Sequence, residues 1–342
     1  MTELVDPVRL ARWMDERGLP GRGEPLACRF ITGGASNELF EIRRGDARMA
    51  LRRPPARVPE GRNESMLREY RVLAALRDTD VPHAQVLAAC DDPSVLGACF
   101  YLMEYVDGWS CMSTNGWPSP FDADLDARRG LAWELVDAIA KLACVDWRAR
   151  GLEGFGRPEG FHERQVERWT TFFERLKGRK LEGMDIASAW LRDHQPIDYI
   201  PGIMHGDYQF ANVMFRDGAP ARLGAIVDWE MGTVGDPKLD LGWMIQGWPD
   251  DTNAPSASET SYVDMRGMPS RSQVLAHYAD VSGRQVDDID YYVILAKWKL
   301  AIVLERGFQR AGDDEKLQAF VPLIVELMQG AAALAETTGY RR

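Results

Sequence analysis

The stretch from Ile203 to Glu230 constrains this chain more than any other. Two short apolar runs, Val213-Met214-Phe215 and Leu223–Val227, flank the turn residues Asp217-Gly218-Ala219-Pro220. Apolar runs on either side of Asp, Gly and Pro read as a β-hairpin. A hairpin brings the residues at its open end together, so Asn212 and Asp228 become neighbours. An amide oxygen beside a carboxylate suits magnesium, which keeps few protein ligands and completes its shell with phosphate and water. His205-Gly206-Asp207 lies just upstream, with Asp207 five positions before Asn212, and Asp228 continues into Trp229-Glu230.

The rest of the chain divides around this block. Ala27–Thr32, Glu38–Arg43 and Arg48–Leu51 read as strands, with Arg44-Gly45-Asp46 as a turn. Met66, Tyr70, Leu73 and Leu76 recur at helical spacing across Glu64–Arg77. Val86–Cys90 and Cys99–Tyr105 read as two further strands around the turn Asp91-Asp92-Pro93. Beyond Gly108 helical patterns dominate: Leu131–Val145, Glu163–Lys177, Ile186–His194, Ser272–Asp280, Ile289–Arg310 and Glu315–Leu334. The expectation is an α+β chain with a β-rich part at 1–105, a mostly helical part at 106–342, and a ligand cleft between them.

Protein kinases carry H-R-D-x-x-x-x-N, then a hairpin, then D-F-G. Here the text is H-G-D-x-x-x-x-N, then D-W-E. Those departures set it apart from protein kinases, and the block resembles the aminoglycoside phosphotransferase and choline-kinase-like superfamily. The resemblance implies a protein-kinase-like two-lobe fold. It also implies ATP- and magnesium-dependent transfer of the γ-phosphoryl group to a small-molecule hydroxyl, with ATP favoured over GTP. Asp207 takes the place of the catalytic base, and Asn212 and Asp228 those of the magnesium ligands. Glu230 has three open roles: a second magnesium ligand, a substrate contact or a loop brace. His205 reads as a brace for the loop. Asp236 and Asp240 match a further family segment and read as structural, Asp236 being placed like an N-cap before Pro237.

On the nucleotide side, Thr32-Gly33-Gly34-Ala35-Ser36-Asn37 lies between two expected strands. Adjacent glycines let backbone approach a phosphate, and Ser36 and Asn37 can donate to its oxygens. Kinases place a lysine on the third strand and pair it with a helix glutamate. Arg52 takes that position here, with Arg53 as second candidate; Arg for Lys keeps the charge but changes the geometry. Glu69, on the inward face of its helix, is the expected partner, the alternative being a surface bridge to Arg68 or Arg71. The remaining arginines between Arg43 and Arg77 read as a solvated face. Backbone groups of Glu104 and Val106 would meet adenine. The Gly-Gly-x-Ser-Asn text and Leu-Arg-x-x-Pro resemble one branch in particular, the kinase-like domains associated with acyl-CoA dehydrogenases. That branch implies a hydroxylated acyl or acyl-CoA acceptor and a functional link to such a dehydrogenase.

Composition narrows the alternatives. A net charge of −11 disfavours nucleic acid as a partner. No run approaches the roughly 18 apolar residues of a membrane span. The five cysteines form no CxxC pair, which points to a reducing compartment and a cytoplasmic protein, monomer or homodimer. A pseudokinase that binds nucleotide without transfer is the main alternative. A metal-dependent hydrolase lacks histidine ligands at suitable spacing. The acceptor wall is expected from Phe161–Lys177, Ile186–His194 and the loop Pro249–Ser261, with Trp169, Phe172, Phe173, Trp190, Trp243 and Trp248 nearby.

Overall fold

The structure, a computed structural model, describes residues 4–33, 37–176, 178–250, 263–310, 312 and 318–341. Gly34 and Ser36 of the expected phosphate loop, and 251–261 of the expected acceptor loop, lie outside the described residues.

The chain opens with a helix that the sequence reading missed, α1 (Pro7–Glu16). Asp6 caps it by accepting from the Val8 and Arg9 amides, and Pro7 fills the first turn, where its missing N–H costs nothing. Five antiparallel strands follow: β1 (Leu26–Gly33), β2 (Glu38–Arg44), β3 (Ala47–Arg53), β4 (Val86–Cys90) and β5 (Phe100–Glu104), in spatial order β1-β2-β3-β5-β4. Helix α2 (Arg62–Ala75) lies between β3 and β4 in sequence, and the short helix α3 (Pro93–Leu96), not the expected open turn, joins β4 to β5.

Because alternate strand residues face opposite ways, the sheet feeds two separate cores. Phe40, Ile42, Met49, Leu51, Phe100 and Leu102 pack with Leu10, Trp13 and Met14 of α1. On the opposite face, Tyr101 and α2 residues Met66, Val72 and Leu73 join the large core of the helical part. Arg68 of α2 donates to the Phe155 carbonyl at 2.9 Å and Arg71 to that of Gly151 at 2.7 Å. Arg44 and Arg53 are 2% exposed. These arginines therefore dock against carbonyls and acids, contrary to the expected solvated face.

The helical part comprises α4 (Cys111–Thr114), α5 (Leu125–Cys144), α6 (Phe161–Leu176), α7 (Met184–Asp193), α8 (Lys238–Ile245), α9 (Arg271–Ser282), α10 (Ile289–Gln309) and α11 (Val321–Thr337). Two small antiparallel pairs sit within it. The hairpin expected from the sequence is β7 (Val213–Phe215) with β8 (Leu223–Ile226); a second pair, β6 (Gly202–Met204) with β9 (Thr233–Gly235), was not foreseen. The crossing segment is stitched to the hairpin by two backbone bonds between Trp109 and Phe215, each 2.8 Å. Gly108 makes that approach sterically feasible: its φ is +147° and a Cβ there would lie 2.1 Å from the Phe215 carbonyl oxygen.

Candidate active site

The β6–β9 ribbon is the stem of the loop that carries His205, Gly206 and Asp207. Met204 pairs with Thr233, so the chain leaves for His205 beside the place where it returns from Glu230. Helix α8 anchors this loop from below. The Asp240 carboxylate, 1% exposed, accepts from the backbone amides of His205 at 2.5 Å and Gly206 at 2.8 Å. Asp236 is fully buried and accepts from Tyr292 Oη at 2.5 Å, His162 Nε2 at 3.0 Å and the Lys238 amide at 3.1 Å. Its cap thus falls on the second residue after it, and both acids hold backbone and neighbouring side chains in place.

His205 has no exposed surface; its Nε2 donates to the Val227 carbonyl at 2.8 Å, while Nδ1 accepts from the Asp207 amide at 3.3 Å. It ties the loop to the end of β8. Gly206 adopts φ +87°, and a Cβ would lie 2.6 Å from the Met231 carbonyl oxygen, so the middle residue of His-Gly-Asp must be glycine for two reasons.

The carboxylate of Asp207 is surrounded by neutral donors. Gln209 Nε2 and Trp243 Nε1 each donate to Oδ1 at 2.8 Å, and Asn212 Nδ2 to Oδ2 at 2.8 Å. Burial pushes its pKa above the usual aspartate value against the pull of those hydrogen bonds. Asn212 Nδ2 also reaches the Asp207 carbonyl at 2.7 Å, which commits the amide nitrogen and identifies Oδ1 as the acceptor oxygen of the amide. The Val227 amide donates to the Asn212 carbonyl at 2.9 Å, so the hairpin brings Asn212 and Asp228 together as its pattern required. Asp228 has φ +63°, uncommon for a residue with a side chain, and its carboxylate is 44% exposed. Such backbone outliers cluster at functional sites.

Arg52 lies across from this loop. Its Nε donates to Glu69 at 2.8 Å and its Nη2 to Asp228 at 2.7 Å, forming a three-membered ion chain between sheet, α2 and hairpin. Glu69 is 1% exposed and also accepts from Tyr101 Oη at 3.3 Å and Asn37 Nδ2 at 3.4 Å. Arg53 faces the other way, as strand alternation demands, bonding the Leu4 and Pro54 carbonyls, so the arginine that pairs with Glu69 is Arg52. Glu230 pairs with Arg62 of α2 at 2.9 Å. At the crossing segment, the Glu104 amide is taken by Gln85 at 2.8 Å, whereas the Val106 amide makes no backbone bond among the described residues. Gly33 ends β1, paired with Glu38.

Of the aromatic residues near the expected acceptor wall, Trp243 touches Asp207, whereas Trp248 is buried and stacked on Phe210, and Trp190 stacks on His194. Sequence reasoning did not single out Gln209 or Trp243 as donors to Asp207. Gln209 could have been found from its place within the loop; Trp243 carries no signal beyond being an indole in a helical run. Among the described residues no group of three or more His, Cys, Asp or Glu side chains is arranged for a metal ion. No helix of the described residues is long and apolar enough to cross a membrane.

Comparison with known proteins gives consistent matches. A family model described as "Phosphotransferase enzyme family" matches residues 27–267. A solved structure from Ralstonia eutropha JMP134, provisionally described as an aminoglycoside phosphotransferase, superposes with a TM-score of 0.83 at 27% identity, covering 98% of this chain and 99% of that one. A macrolide 2'-phosphotransferase type I matches at TM-score 0.59 and 18% identity, covering 91% of this chain and 94% of its own. The fold is therefore the protein-kinase-like fold of these enzymes, with its antiparallel sheet and helical C-terminal part. Acyl-CoA dehydrogenase family member 10 of Mus musculus is 26% identical over 91% of this chain, and family member 11 of Homo sapiens 27% over 92%. The matches span 29% and 40% of those two relatives, so this chain corresponds to a minor part of each.

Proposed function

This chain belongs to the phosphotransferase enzyme family, and from that premise we propose that it moves the γ-phosphoryl group of ATP to the hydroxyl of a small molecule. The single observation that carries the reading is Asp207: a half-buried carboxylate, held by three neutral donors beside the Asn212–Asp228 pair. Both lone-pair sites of Oδ1 are used, by Gln209 and Trp243, while Oδ2 receives only Asn212 among the described residues. The acceptor hydroxyl is accordingly assigned to Oδ2, which orients it and takes its proton. A raised pKa suits that work, since a base poised nearer the operating pH accepts a proton more readily.

The donor set fits magnesium: Asn212 Oδ1 and the exposed Asp228 carboxylate are hard oxygens on the same hairpin end. Bound there, the ion would neutralise phosphate oxygens. Arg52 supplies a second positive charge to the phosphates and Glu69 fixes its direction. Gly33, Gly34, Ser36 and Asn37 would cover the phosphates, and the Glu104 carbonyl and Val106 amide would receive adenine. Glu230 is assigned a bracing role from its pair with Arg62. The division into a nucleotide lobe at 1–105 and a catalytic lobe at 106–342 belongs to the same proposal, as does a cytoplasmic setting, which the five free cysteines favour. Similarity to the dehydrogenase family members supports a hydroxylated acyl or acyl-CoA acceptor and a functional link to a dehydrogenase.

The test is magnesium-dependent ADP release from ATP across a panel of hydroxylated acids, their CoA thioesters and aminoglycosides. Stimulation by at least one acceptor is expected. Tight nucleotide binding without ADP release under any condition would instead favour the pseudokinase.

A further inference from the structure

We propose that Lys299 is a specificity-determining residue of the acceptor side and selects acceptors bearing a carboxylate or phosphate close to the reacting hydroxyl. This rests on the phosphotransferase reading and names the substrate class that reading leaves open.

Lys299 stands on α10, in an otherwise largely apolar helix. Its ammonium lies 5.3 Å from the centroid of the Trp169 ring, on α6, and 5.7 Å from that of Trp243, on α8. Ring faces attract a cation without accepting its hydrogen bonds in the ordinary sense. Lys299 makes no hydrogen bond or ion pair to a side chain or carbonyl among the described residues. By contrast Lys238, also at the base of the site, is committed to Asp288 at 2.5 Å. Burial lowers the Lys299 pKa to about 8 against the attraction of Asp240 and Asp207, so it stays mostly cationic at pH 7.

A purely structural duty for this charge is poorly served by its surroundings. Asp240 already accepts two backbone amides from the catalytic loop and forms no ion pair with Lys299. What Lys299 does share is Trp243: the indole N–H holds the Asp207 carboxylate while its ring faces the ammonium. Base and cation thus contact the same indole, which fits a molecule that carries a hydroxyl and an anion on one small frame. Two guanidiniums stand nearby. Arg168 lies 6.0 Å from the Trp169 ring and Arg306 5.3 Å from Phe172, both on the α6–α10 side. A polycationic acceptor would meet like charge here, and like-charge juxtaposition is a means of rejecting ligands.

The experiment uses the full chain and four probes: 3-hydroxybutyrate, glycerol 3-phosphate, the uncharged analogue 1,3-butanediol, and kanamycin. ADP release is measured for wild type, Lys299→Met, Lys299→Gln and Lys299→Arg. Wild type should use the two anionic probes at least tenfold better, in kcat/KM, than butanediol. Lys299→Met should raise KM for the anionic probes about tenfold with kcat changed less than threefold, and Lys299→Arg should restore most of the loss. Lys299→Gln gives the same reading if the Met variant does not fold, as judged by its near-ultraviolet circular dichroism. The inference is overturned if wild type prefers butanediol or kanamycin, if both neutral variants leave anionic KM unchanged, or if they depress all probes equally. Turnover of neutral or cationic alcohols alone would leave the phosphotransferase reading intact and remove only this inference. No ADP release with any acceptor would remove both.

Discussion

Two carboxylates in this molecule, Glu41 buried and Asp207 half-buried, each holding three side-chain partners, are handled in opposite ways. In the N-terminal sheet, Glu41 of β2 is 2% exposed and gripped by Arg48 at 2.7 Å, Arg43 at 2.8 Å and Arg29 at 2.6 Å. The guanidiniums, Arg48 first, outweigh burial and hold its pKa down to about 2. In the catalytic loop, Asp207 receives an indole and two amides, and burial prevails. Partner number is the same; partner charge differs. Full positive charges fix a carboxylate as a permanent anion, whereas neutral dipoles orient it while leaving it able to accept a proton. Between these extremes runs the chain Glu69–Arg52–Asp228, where one guanidinium serves two acids.

The hardest test of that contrast removes the proposed proton acceptor and the proposed metal ligand separately. Asp207→Ala should lower turnover about 10³-fold or more, in the upper part of the range for a lost general base, with magnesium-ATP affinity within threefold of wild type. Asp228→Asn should do the reverse, abolishing the gain in nucleotide affinity that magnesium confers in calorimetry. If both variants lose nucleotide affinity equally, the division of labour between loop and hairpin end is wrong.

An effect of comparable size, on stability, is expected where charge compensates charge. Arg52→Met leaves Glu69 almost wholly buried without its guanidinium, and breaking such a pair from one side costs about 3–5 kcal/mol. Adding Glu69→Gln should recover much of that loss in urea denaturation, because the unpaired charge is then gone. Additive losses in the double variant would mean that Arg52 and Glu69 are not energetically coupled in the fold.

How much of this was legible beforehand depended on whether a residue's role is set by local pattern or by distant packing. The hairpin, its open-end neighbours Asn212 and Asp228, and the five strands of the sheet follow from alternation and turn residues within short windows. Glu69 was found because a charge on an apolar helix face requires a partner. Helix α1 had a readable signal, Asp6-Pro7 with Leu10, Trp13 and Met14 at helical spacing, that was obscured by the intervening charges. The β6–β9 ribbon was not legible, since its strands have three residues each and pair across nearly thirty residues of loop and hairpin. Trp243 and Lys299 come from α8 and α10, far along the chain from Asp207, and only packing unites them with the loop.

The smallest expected effect is the most direct probe of neutral support for Asp207. Trp243→Phe keeps most of the ring but deletes the N–H that donates to Oδ1, leaving Gln209 and Asn212. A hydrogen bond to a charged group contributes about 1.5–3 kcal/mol, so the rate should fall about tenfold or somewhat more. The pH profile separates this from loose packing. Asp207 must be ionised to accept a proton, so activity is present above its pKa and is lost as pH falls through it. Because that pKa is raised by burial, the acid limb of kcat/KM in wild type should lie above the roughly 3.9 of an ordinary aspartate. Deleting a donor that favours the ionised form should move the limb further up. Glu41→Gln, on the sheet, should leave the limb where it was. A Trp243→Phe enzyme that is slower at every pH with an unshifted limb would show that the indole merely fills space, and the contrast between the two carboxylates would then rest on Gln209 and Asn212 alone.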